Sequence, residues 1–293
     1  MALRMMPARH SPFYSPFLAT AGFLEQEGVE VTLRLPAEGE STGAVLRQGE
    51  VDVTQSAVSS GWTEREKGAA EIPVHFAQIN QRDGFFLVGR ERDADFEWKK
   101  LEGKTIIADH GHQPLVMLRW AAHHKGADWS RVQVINAGSP QAMEAAFRSG
   151  RADFVHLQAG VPQQLEREGA GFAVASVGEG LKPLAFSSVC AFRKFVDSDS
   201  FGPFVNAFSK AKQWVQQSRP EDVAKSLTPL FPALSIEALT AAIASCQKLG
   251  CWEGGVVIPP DLYDEAQDAF LWAGGIQRRH LYEEVCLTPP PSM

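Results

Sequence analysis

The chain has 293 residues and a net charge of −7, and 44% of its residues are hydrophobic and 22% charged. This composition is typical of a soluble globular protein, and the length favours two lobes over a single core. The negative charge gives no reason to expect nucleic acid or an acidic membrane surface as a partner, so small molecules and other proteins remain.

The N-terminal segment "MALRMMPARHSPFYSP" places Arg4 and prolines where a secretory signal needs an unbroken apolar run. No apolar stretch in the chain is long enough for a membrane span. We therefore expect a cytoplasmic protein as the sequence is written, or a periplasmic one if an export signal has been removed.

Strands and helices alternate through two successive sets of predicted elements. The first set comprises a strand at 2–8, a helix at 16–27, a strand at 29–35, a helix ending at Gly49 and a strand at 72–79. The second comprises a strand at 104–109, a helix at 114–126, a strand at 132–137, a helix ending at Gly150 and a strand at 172–177. Such alternation predicts an open α/β sheet in each of two lobes.

An internal repeat supports this division into lobes. "AVLRQGEVDV" and "AAFRSGRADF", which begin at Ala44 and Ala145, share the pattern Ala-x-x-Arg-x-Gly-x-x-Asp. In each copy a helix is predicted to end at a glycine, and an aspartate to precede a short strand. The apolar segments 84–91 and 184–195 are the candidate hinge strands, and helices are predicted within 201–217, 221–230 and 236–249.

The order of several short motifs resembles a known family. "GFLEQEGVEVTL", "RQGEVDV", "LEGKTIIAD", "SGRADFV" and "GCWEGGVVIPPDLYDEAQDAFLWAGGI" are similar to segments of type-2 solute-binding proteins of the NMT1/SsuA-like group. The resemblance implies a Venus flytrap: two α/β lobes joined by two hinge strands, a ligand in the cleft, and C-terminal helices that return to lobe one. Lobe one would comprise 1–87 and 196–293, and lobe two 88–195.

The same resemblance implies a function. Relatives bind sulfonates, nitrate, thiamin pyrimidines or other small organic molecules, usually for delivery to an ABC permease, whereas a minority are enzymes such as a desulfinase, pyrimidine synthases and decarboxylases. The desulfinase cysteine is missing from "ARHSP", and the cysteine-rich run of the pyrimidine synthases is absent. Cys190, Cys246, Cys251 and Cys286 show no zinc or thioredoxin spacing, and we expect buried thiols and no cofactor.

Ligands of open α/β sheets bind beyond the carboxyl ends of the strands, against helix N-termini. This rule selects the segments 9–14, 38–42, 55–59, 80–83, 109–113, 138–139 and 156–158. Four helices with proline in their first turn (Pro16, Pro114, Pro140 and Pro162) follow such positions. The predicted ligand-binding residues are Arg9, His10, Tyr14, Glu40, Ser41, Thr42, Gln55, Ser56, Asn80, Arg82, Asp109, His110, His112, Ser139, His156 and Gln158. The aromatic residues Phe13, Tyr14, Trp62 and Phe85 are candidates to wall a flat ligand.

The cluster of Asp109, His110 and His112 has three interpretations. A metal site lacks a further acidic ligand at a recognised spacing, so we predict no metal. The two histidines are predicted to hydrogen-bond to, or stack on, a small organic ligand that is anionic or heterocyclic. The alternative is an enzyme in which His110 and His112 act as acid and base, as in a lyase, a desulfinase-like enzyme or one related to pyrimidine biosynthesis.

Overall fold

The computed structural model describes residues 2–37 and 39–290. Glu38, at the start of one segment expected near the cleft, and residues 291–293 of the C-terminal tail lie outside this part. Two five-stranded sheets form the framework. The strands are β1 (Leu3–Met6), β2 (Val31–Leu33), β3 (Val53–Ser56), β4 (Val74–Asn80), β5 (Phe85–Gly89), β6 (Thr105–Ile107), β7 (Gln133–Ile135), β8 (Phe154–Gln158), β9 (Phe172–Ser176) and β10 (Ser187–Ala191).

The two sheets have the same plan. The first has the order β2-β1-β3-β10-β4 and the second β7-β6-β8-β5-β9. In each, three neighbouring strands pair in parallel, and the fourth strand of the order is antiparallel to both of its neighbours. These antiparallel strands are exchanged between the lobes. β5 follows β1–β4 in the chain but lies in the second sheet, and β10 follows β6–β9 but lies in the first. The expectation of two α/β lobes of similar build is confirmed.

The segments expected as hinge strands follow the two crossings of the chain between the sheets. Residues of 84–91 form β5 inside the second sheet, and residues of 184–195 form β10 inside the first. Both strands are hydrogen-bonded on both sides within their sheets, and each begins directly after the chain has crossed from the other sheet. The chain crosses between the sheets at 81–84 and again at 177–186, and we propose to divide the lobes there; the crossings end three and nine residues before the predicted boundaries at 87/88 and 195/196.

Twelve helices surround the sheets in the described residues. They are α1 (Ser15–Gln26), α2 (Thr42–Arg47), α3 (Val58–Glu66), α4 (Gln113–His124), α5 (Pro140–Arg148), α6 (Val161–Arg167), α7 (Arg193–Val196), α8 (Phe201–Gln217), α9 (Pro220–Leu227), α10 (Ile236–Leu249), α11 (Pro260–Trp272) and α12 (Tyr282–Val285). Each of the four prolines expected at helix starts is the first or second residue of its helix, in α1, α4, α5 and α6 respectively. None of the described helices combines the length and the apolar character that a membrane span requires.

The internal repeat has a structural cause. Gly49 and Gly150 follow α2 and α5 with φ values of 71° and 86°, the left-handed conformation that glycine adopts without strain. The carboxylate of Asp52 accepts the backbone N–H of Arg4 at 2.9 Å, and that of Asp153 accepts the backbone N–H of Thr105 at 2.8 Å. In both lobes the repeated aspartate stands just before the third strand and is hydrogen-bonded to the first strand of that lobe.

The C-terminal helices contact both lobes. α8 packs along α1, where Phe23 and Trp214 have ring centroids 6.1 Å apart. α10 contacts α6 of the second lobe, and α11 lies against α3 of the first lobe and α4 of the second. The return of these helices to lobe one thus also covers part of lobe two.

Candidate functional site

A cavity of about 380 Å³ lies between the two sheets, at the carboxyl ends of their parallel strands. Both lobes contribute to it, as the strand-end rule predicts for open α/β sheets. It is lined by Ala8, Arg9, Tyr14, Gln55, Ser56, Ala57, Ser59, Ser60, Thr63, Lys67, Phe85, Gly111, His112, Gln113, Pro114, Phe186 and Ser187.

One wall is a polar stripe along α3. Ser60, Thr63 and Lys67 follow the spacing i, i+3 and i+7, which places side chains on the same face of a helix, and Ser56, the last residue of β3, lies just before the helix. The hydroxyls of Ser56 and Ser60 are 3.1 Å apart. Because this wall begins at the N-terminus of α3, the backbone N–H groups of the first turn and the helix dipole add positive potential to the hydroxyl groups.

Lys67 gives the cavity its available charge. It stands just after the last residue of α3, and no ion pair joins it to any of the residues that the structure describes. The lining contains neither aspartate nor glutamate. An anion in this cavity would therefore meet a cation and hydroxyl groups without a competing carboxylate at the wall.

The opposite wall is the turn from β6 into α4. His112 precedes the first residue of α4 with φ 63° and ψ −86°, and it is the one non-glycine residue with positive φ in the described chain. Burial, and then the nearby charge of Lys67, lower the pKa of His112, so its imidazole is neutral near pH 7. Its ring also lies 5.1 Å from the ring of Phe270 on α11.

Arg9 and Asp109 join the lobes at the edge of the cavity. Arg9 Nη1 and Nη2 bond to the two carboxylate oxygens of Asp109, the second at 3.0 Å. Burial alone would raise the pKa of Asp109, but the bonds and charge of Arg9 and the N–H of Gly111 lower it below the usual value. The carboxylate is therefore charged at neutral pH. It already pairs with the guanidinium of Arg9, which the sequence suggested as a partner for an anionic ligand.

Further side chains bridge the lobes around the cavity. Ser59 Oγ donates to Gln113 Oε1 at 2.9 Å, and Gln113 Nε2 donates to the carbonyl oxygen of Phe186. Gln158 Nε2 donates to the hydroxyl of Tyr14 at 2.9 Å. With the Arg9 and Asp109 pair, these bonds hold the cleft in a closed arrangement.

The third part of the lining is aromatic. Tyr14, Phe85 and Phe186 line the cavity and are all buried. Burial is the main cause that raises the pKa of Tyr14 to about 12, so its hydroxyl stays protonated. These rings supply flat apolar surface for the part of a ligand that carries no charge.

A buried polar layer lies behind Phe85. His156 is fully buried, its ring is stacked 4.6 Å from that of Phe85, and neither ring nitrogen has a hydrogen-bond partner in the described chain. Burial lowers the pKa of His156 to about 3. Asp83 accepts the N–H of Phe85 at 2.7 Å, and burial raises its pKa to about 7.

The cavity brings together part of the set predicted from sequence. Arg9, Tyr14, Gln55, Ser56 and His112 line it, together with Phe85 from the aromatic candidates. Asp109 and Gln158 reach it through Arg9 and Tyr14, to which they are bonded.

Other predicted residues in the first lobe have structural partners away from the cavity. The ring of His10 stacks 4.5 Å from that of Phe231, Glu40 pairs with Arg34, and Ser41 caps α2, the helix that begins at Thr42. Asn80 is buried and donates to the carbonyl oxygen of Phe13. These contacts are helix capping, surface ion pairing and core burial. They use the same types of polar residue as a ligand site, so a single sequence does not distinguish them.

The remaining predicted residues are likewise occupied. Arg82 donates to the carbonyl oxygens of Gly178 and Leu181, and Ser139 caps α5. The Nδ1 of His110 is 2.8 Å from the carbonyl oxygen of Ala108, and its side chain does not line the cavity. Of the aromatic candidates, Phe13 and Trp62 are core residues; the indole of Trp62 donates to the hydroxyl of Tyr263 at 2.8 Å.

Sequence reasoning missed Ser60, Thr63, Lys67, Phe186 and Ser187. The segment after Gln55 was selected as a strand end, but α3 itself was not predicted, because its serines and Gly61 are weak helix formers. The polar spacing from Ser56 to Lys67 was the signal available. No comparable pattern marks Phe186 and Ser187, which reach the cavity through the second crossing of the chain.

Comparison with known proteins agrees with this architecture. Residues 9–222 match the model of a family described as NMT1/THI5 like. The protein named "Putative binding protein YtlA" from Bacillus subtilis (strain 168) is 26% identical over 252 residues, which cover 84% of this chain and 75% of that protein.

Solved structures share the fold at low identity, and they confirm the predicted type-2 binding-protein fold. A zinc-bound ligand-binding component of an ABC-type import system from Staphylococcus aureus has a TM-score of 0.77 and 13% identity, covering 98% of this chain and 97% of that one. The alkanesulfonate-binding protein SsuA from Xanthomonas axonopodis pv. citri, bound to MOPS, has a TM-score of 0.71 and 18% identity, covering 98% of each chain.

Proposed function

The chain belongs to the NMT1/THI5-like family, and on this premise we propose that it is a solute-binding protein that holds a small organic anion in the cleft between its lobes. YtlA is named a binding protein, which agrees with a role in binding a solute. The chemistry of the solute is inferred from the cavity of this chain.

The observation that carries the proposal is the charge of the lining. Lys67 is its unpaired cation, and no lining residue in the described chain is acidic. The hydroxyls of Ser60 and Thr63 lie on the same face of α3, and that of Ser56 lies just before the helix. An anionic group at the N-terminus of α3 would receive backbone N–H groups as well as these side chains. Arg9 contributes less, because Asp109 already satisfies its guanidinium.

The other end of the cavity suits an apolar or flat group. Tyr14, Phe85 and Phe186 present rings there, while the volume of about 380 Å³ is near the lower end of the usual range for small-molecule sites, roughly 300–1,000 Å³. A ligand with one acidic group and a compact organic body meets both requirements.

The alternative function, acid-base catalysis by His110 and His112, gains no support from the geometry. Only His112 lines the cavity, and His110 is bonded to the backbone at Ala108. A pair of groups that acts on one substrate has to reach the same bound molecule.

Delivery to an ABC permease is the partner interaction that we propose for this function. The similar structure from Staphylococcus aureus is described as part of an ABC-type import system, and such a role would require a location outside the cytoplasmic membrane. Neighbouring genes for a permease and an ATPase would support delivery, whereas a biosynthetic or degradative gene cluster would count against it.

The test of the binding proposal compares two lysines. Lys67→Gln removes the charge at the cavity, and Lys125→Gln removes a charge at the same position of α4, just after its last residue, outside the cavity. We expect Lys67→Gln to weaken the binding of a stabilising acid by about tenfold, or roughly 1.4 kcal/mol, and Lys125→Gln to leave it unchanged. Loss of either charge from a helix C-terminus should change the unliganded stability by only about 0.5 kcal/mol.

The measurement is the ligand-induced rise in melting temperature across a panel of sulfonates and carboxylates, each with its neutral amide. Acids should stabilise the protein and their amides should not. Equal stabilisation by acids and amides, or an undiminished response in Lys67→Gln, would show that the cavity does not select anions.

A further inference from the structure

A second cavity, of about 480 Å³, lies at the C-terminal end of α4, away from the cleft. Its polar and aromatic walls are formed by Arg119, His123, Asp128, Trp129, Ser130 and Trp272. Arg119 comes six residues after Gln113, the first residue of α4, which separates the two sites by about 9 Å along the helix. None of these residues lines the cleft.

Aromatic rings dominate this region of the surface. Trp272, the last residue of α11, is 39% exposed, and its ring lies 5.0 Å from that of His123 and 4.9 Å from that of Trp120. Trp129 adds a second indole to the cavity wall. Two indoles in one cavity offer flat apolar surface to a planar ring.

The polar groups at this cavity lack acceptors. Arg119 Nε is buried and has no hydrogen-bond partner in the described part of the chain. A guanidinium is a donor only, so a molecule that pairs with it has to present acceptor oxygens. The guanidinium of Arg119 already faces the ring of Trp272, with Cζ 5.7 Å from the ring centroid, and it brings a permanent positive charge.

One acidic residue lies on the wall and is locally occupied. Asp128 Oδ1 accepts the backbone N–H of Ser130 at 3.0 Å and its hydroxyl at 2.7 Å. No ion pair of Arg119 occurs among the described residues, so its guanidinium has no carboxylate partner of its own. Asp128 keeps its negative charge, so the carboxylate of a ligand is attracted to Arg119 and repelled by Asp128.

We propose that this cavity is a second ligand site, which binds an aromatic carboxylate. The ring of the ligand lies against the indoles of Trp129 and Trp272, and its carboxylate accepts from Arg119. The site joins α4 of the second lobe to α11, which also contacts the first lobe.

The experiment follows the seven indole N–H signals of the full-length protein by NMR, with benzoate, 1-naphthoate and indole-3-acetate as probes and benzamide as the neutral control. Trp129→Phe and Trp272→Phe assign the two signals of the second site. We expect the aromatic acids to shift the Trp129 and Trp272 signals in a saturable manner at concentrations up to about 10 mM, and benzamide not to do so.

Two variants separate the sites. Arg119→Met keeps the apolar stem of the side chain and removes its donors, and it should weaken the binding of the aromatic acids by about tenfold or more. Lys67→Gln, in the cleft, should leave binding at the second site unchanged.

Several results would overturn the proposal. They are the absence of saturable shifts at Trp129 and Trp272 with all three acids, an equal response to benzamide, and loss of the shifts in Lys67→Gln instead of Arg119→Met. A change in sedimentation of the ligand-free protein on Trp272→Phe would instead identify the aromatic surface as a contact between copies of this chain.

Discussion

At the scale of single residues, His112 combines an unusual backbone with a place in the cavity wall. Its φ of 63° and ψ of −86° lie outside the regions that side chains with a Cβ prefer. Residues held in such conformations cost about 1–3 kcal/mol and occur preferentially at functional sites. The ring of His112 lies against Phe270, and α4 begins at the next residue. We infer that the strained backbone places a neutral imidazole in the wall of the cleft.

Substitution of His112 by glycine and by alanine separates strain from side-chain contacts. Both variants lose the ring, but glycine adopts positive φ without a steric penalty. We expect His112→Gly to be more stable than His112→Ala by about 1 kcal/mol in denaturant unfolding, and both to respond less to a stabilising acid.

His110→Ala is the control for the ligand response, because its side chain does not line the cavity. If the alanine variant at position 112 proved more stable than the glycine variant, the strained backbone would not be a property of the protein in solution.

At the scale of elements, capping serines also link helices across the lobes. Ser235 Oγ accepts the N–H of Ala238 at the start of α10, and its own N–H and hydroxyl both donate to Gln164 Oε1 of α6 at 3.0 Å. Ser139 caps α5 through the equivalent bond to Ala142, and among the described residues its side chain makes no hydrogen bond to another helix. The first serine therefore stabilises both a helix terminus and the contact between α10 and α6.

The two serines form a matched pair for mutation. Ser139→Ala should cost about 1 kcal/mol, the usual value for loss of an N-cap. Ser235→Ala should cost roughly 2 kcal/mol, because it also removes a hydrogen bond to Gln164 worth about 1 kcal/mol. Urea unfolding of both variants measures the difference, and equal costs would show that the bond between α10 and α6 adds no stability.

At the scale of the whole molecule, side-chain bonds hold the two lobes together. Arg9 pairs with Asp109, Ser11 donates to the carbonyl oxygen of Ala159, and Gln158 donates to Tyr14. The Asp109 side chain is 7% exposed and that of Arg9 is 27% exposed, so the pair is more shielded from water than surface ion pairs are. A closed cleft in this chain is thus supported by contacts of its own.

Asp109→Asn tests the contribution of this pair. The substitution keeps the shape of the side chain but leaves the partly buried Arg9 charge uncompensated, and we expect a loss of about 2 kcal/mol in unfolding free energy. The radius of gyration of the unliganded protein should increase in small-angle scattering as open forms become populated.

Glu166→Gln is the control, because Glu166 pairs with the exposed Arg92 within one lobe, and its loss should cost less than about 0.5 kcal/mol. An unchanged radius of gyration in Asp109→Asn would mean that the pair does not hold the cleft closed.

The sequence by itself determined the repeated lobes and most of their elements. The pattern that ends at Asp52 and Asp153 is a local signal, because a helix, a glycine in the left-handed conformation and a strand follow one another within ten residues. The amphipathic spacing of 201–217 and 236–249 gave the bounds of α8 and α10 for the same reason. Hydrophobic periodicity records which face of an element is buried, and prolines at helix starts record where a helix begins. Both signals are carried by residues that are close together in the sequence.

Only the tertiary structure decided which polar residues meet in the cleft. His110 and His112 are two positions apart, yet one ring faces the backbone of Ala108 and the other the cavity, because the chain turns at Gly111. Arg9 and Asp109 are a hundred residues apart, and no local pattern indicates that they neutralise each other. Lys67 became the free cation through that pairing and through the packing of α3. Long-range contacts set the charge of the site, and a single sequence does not record them.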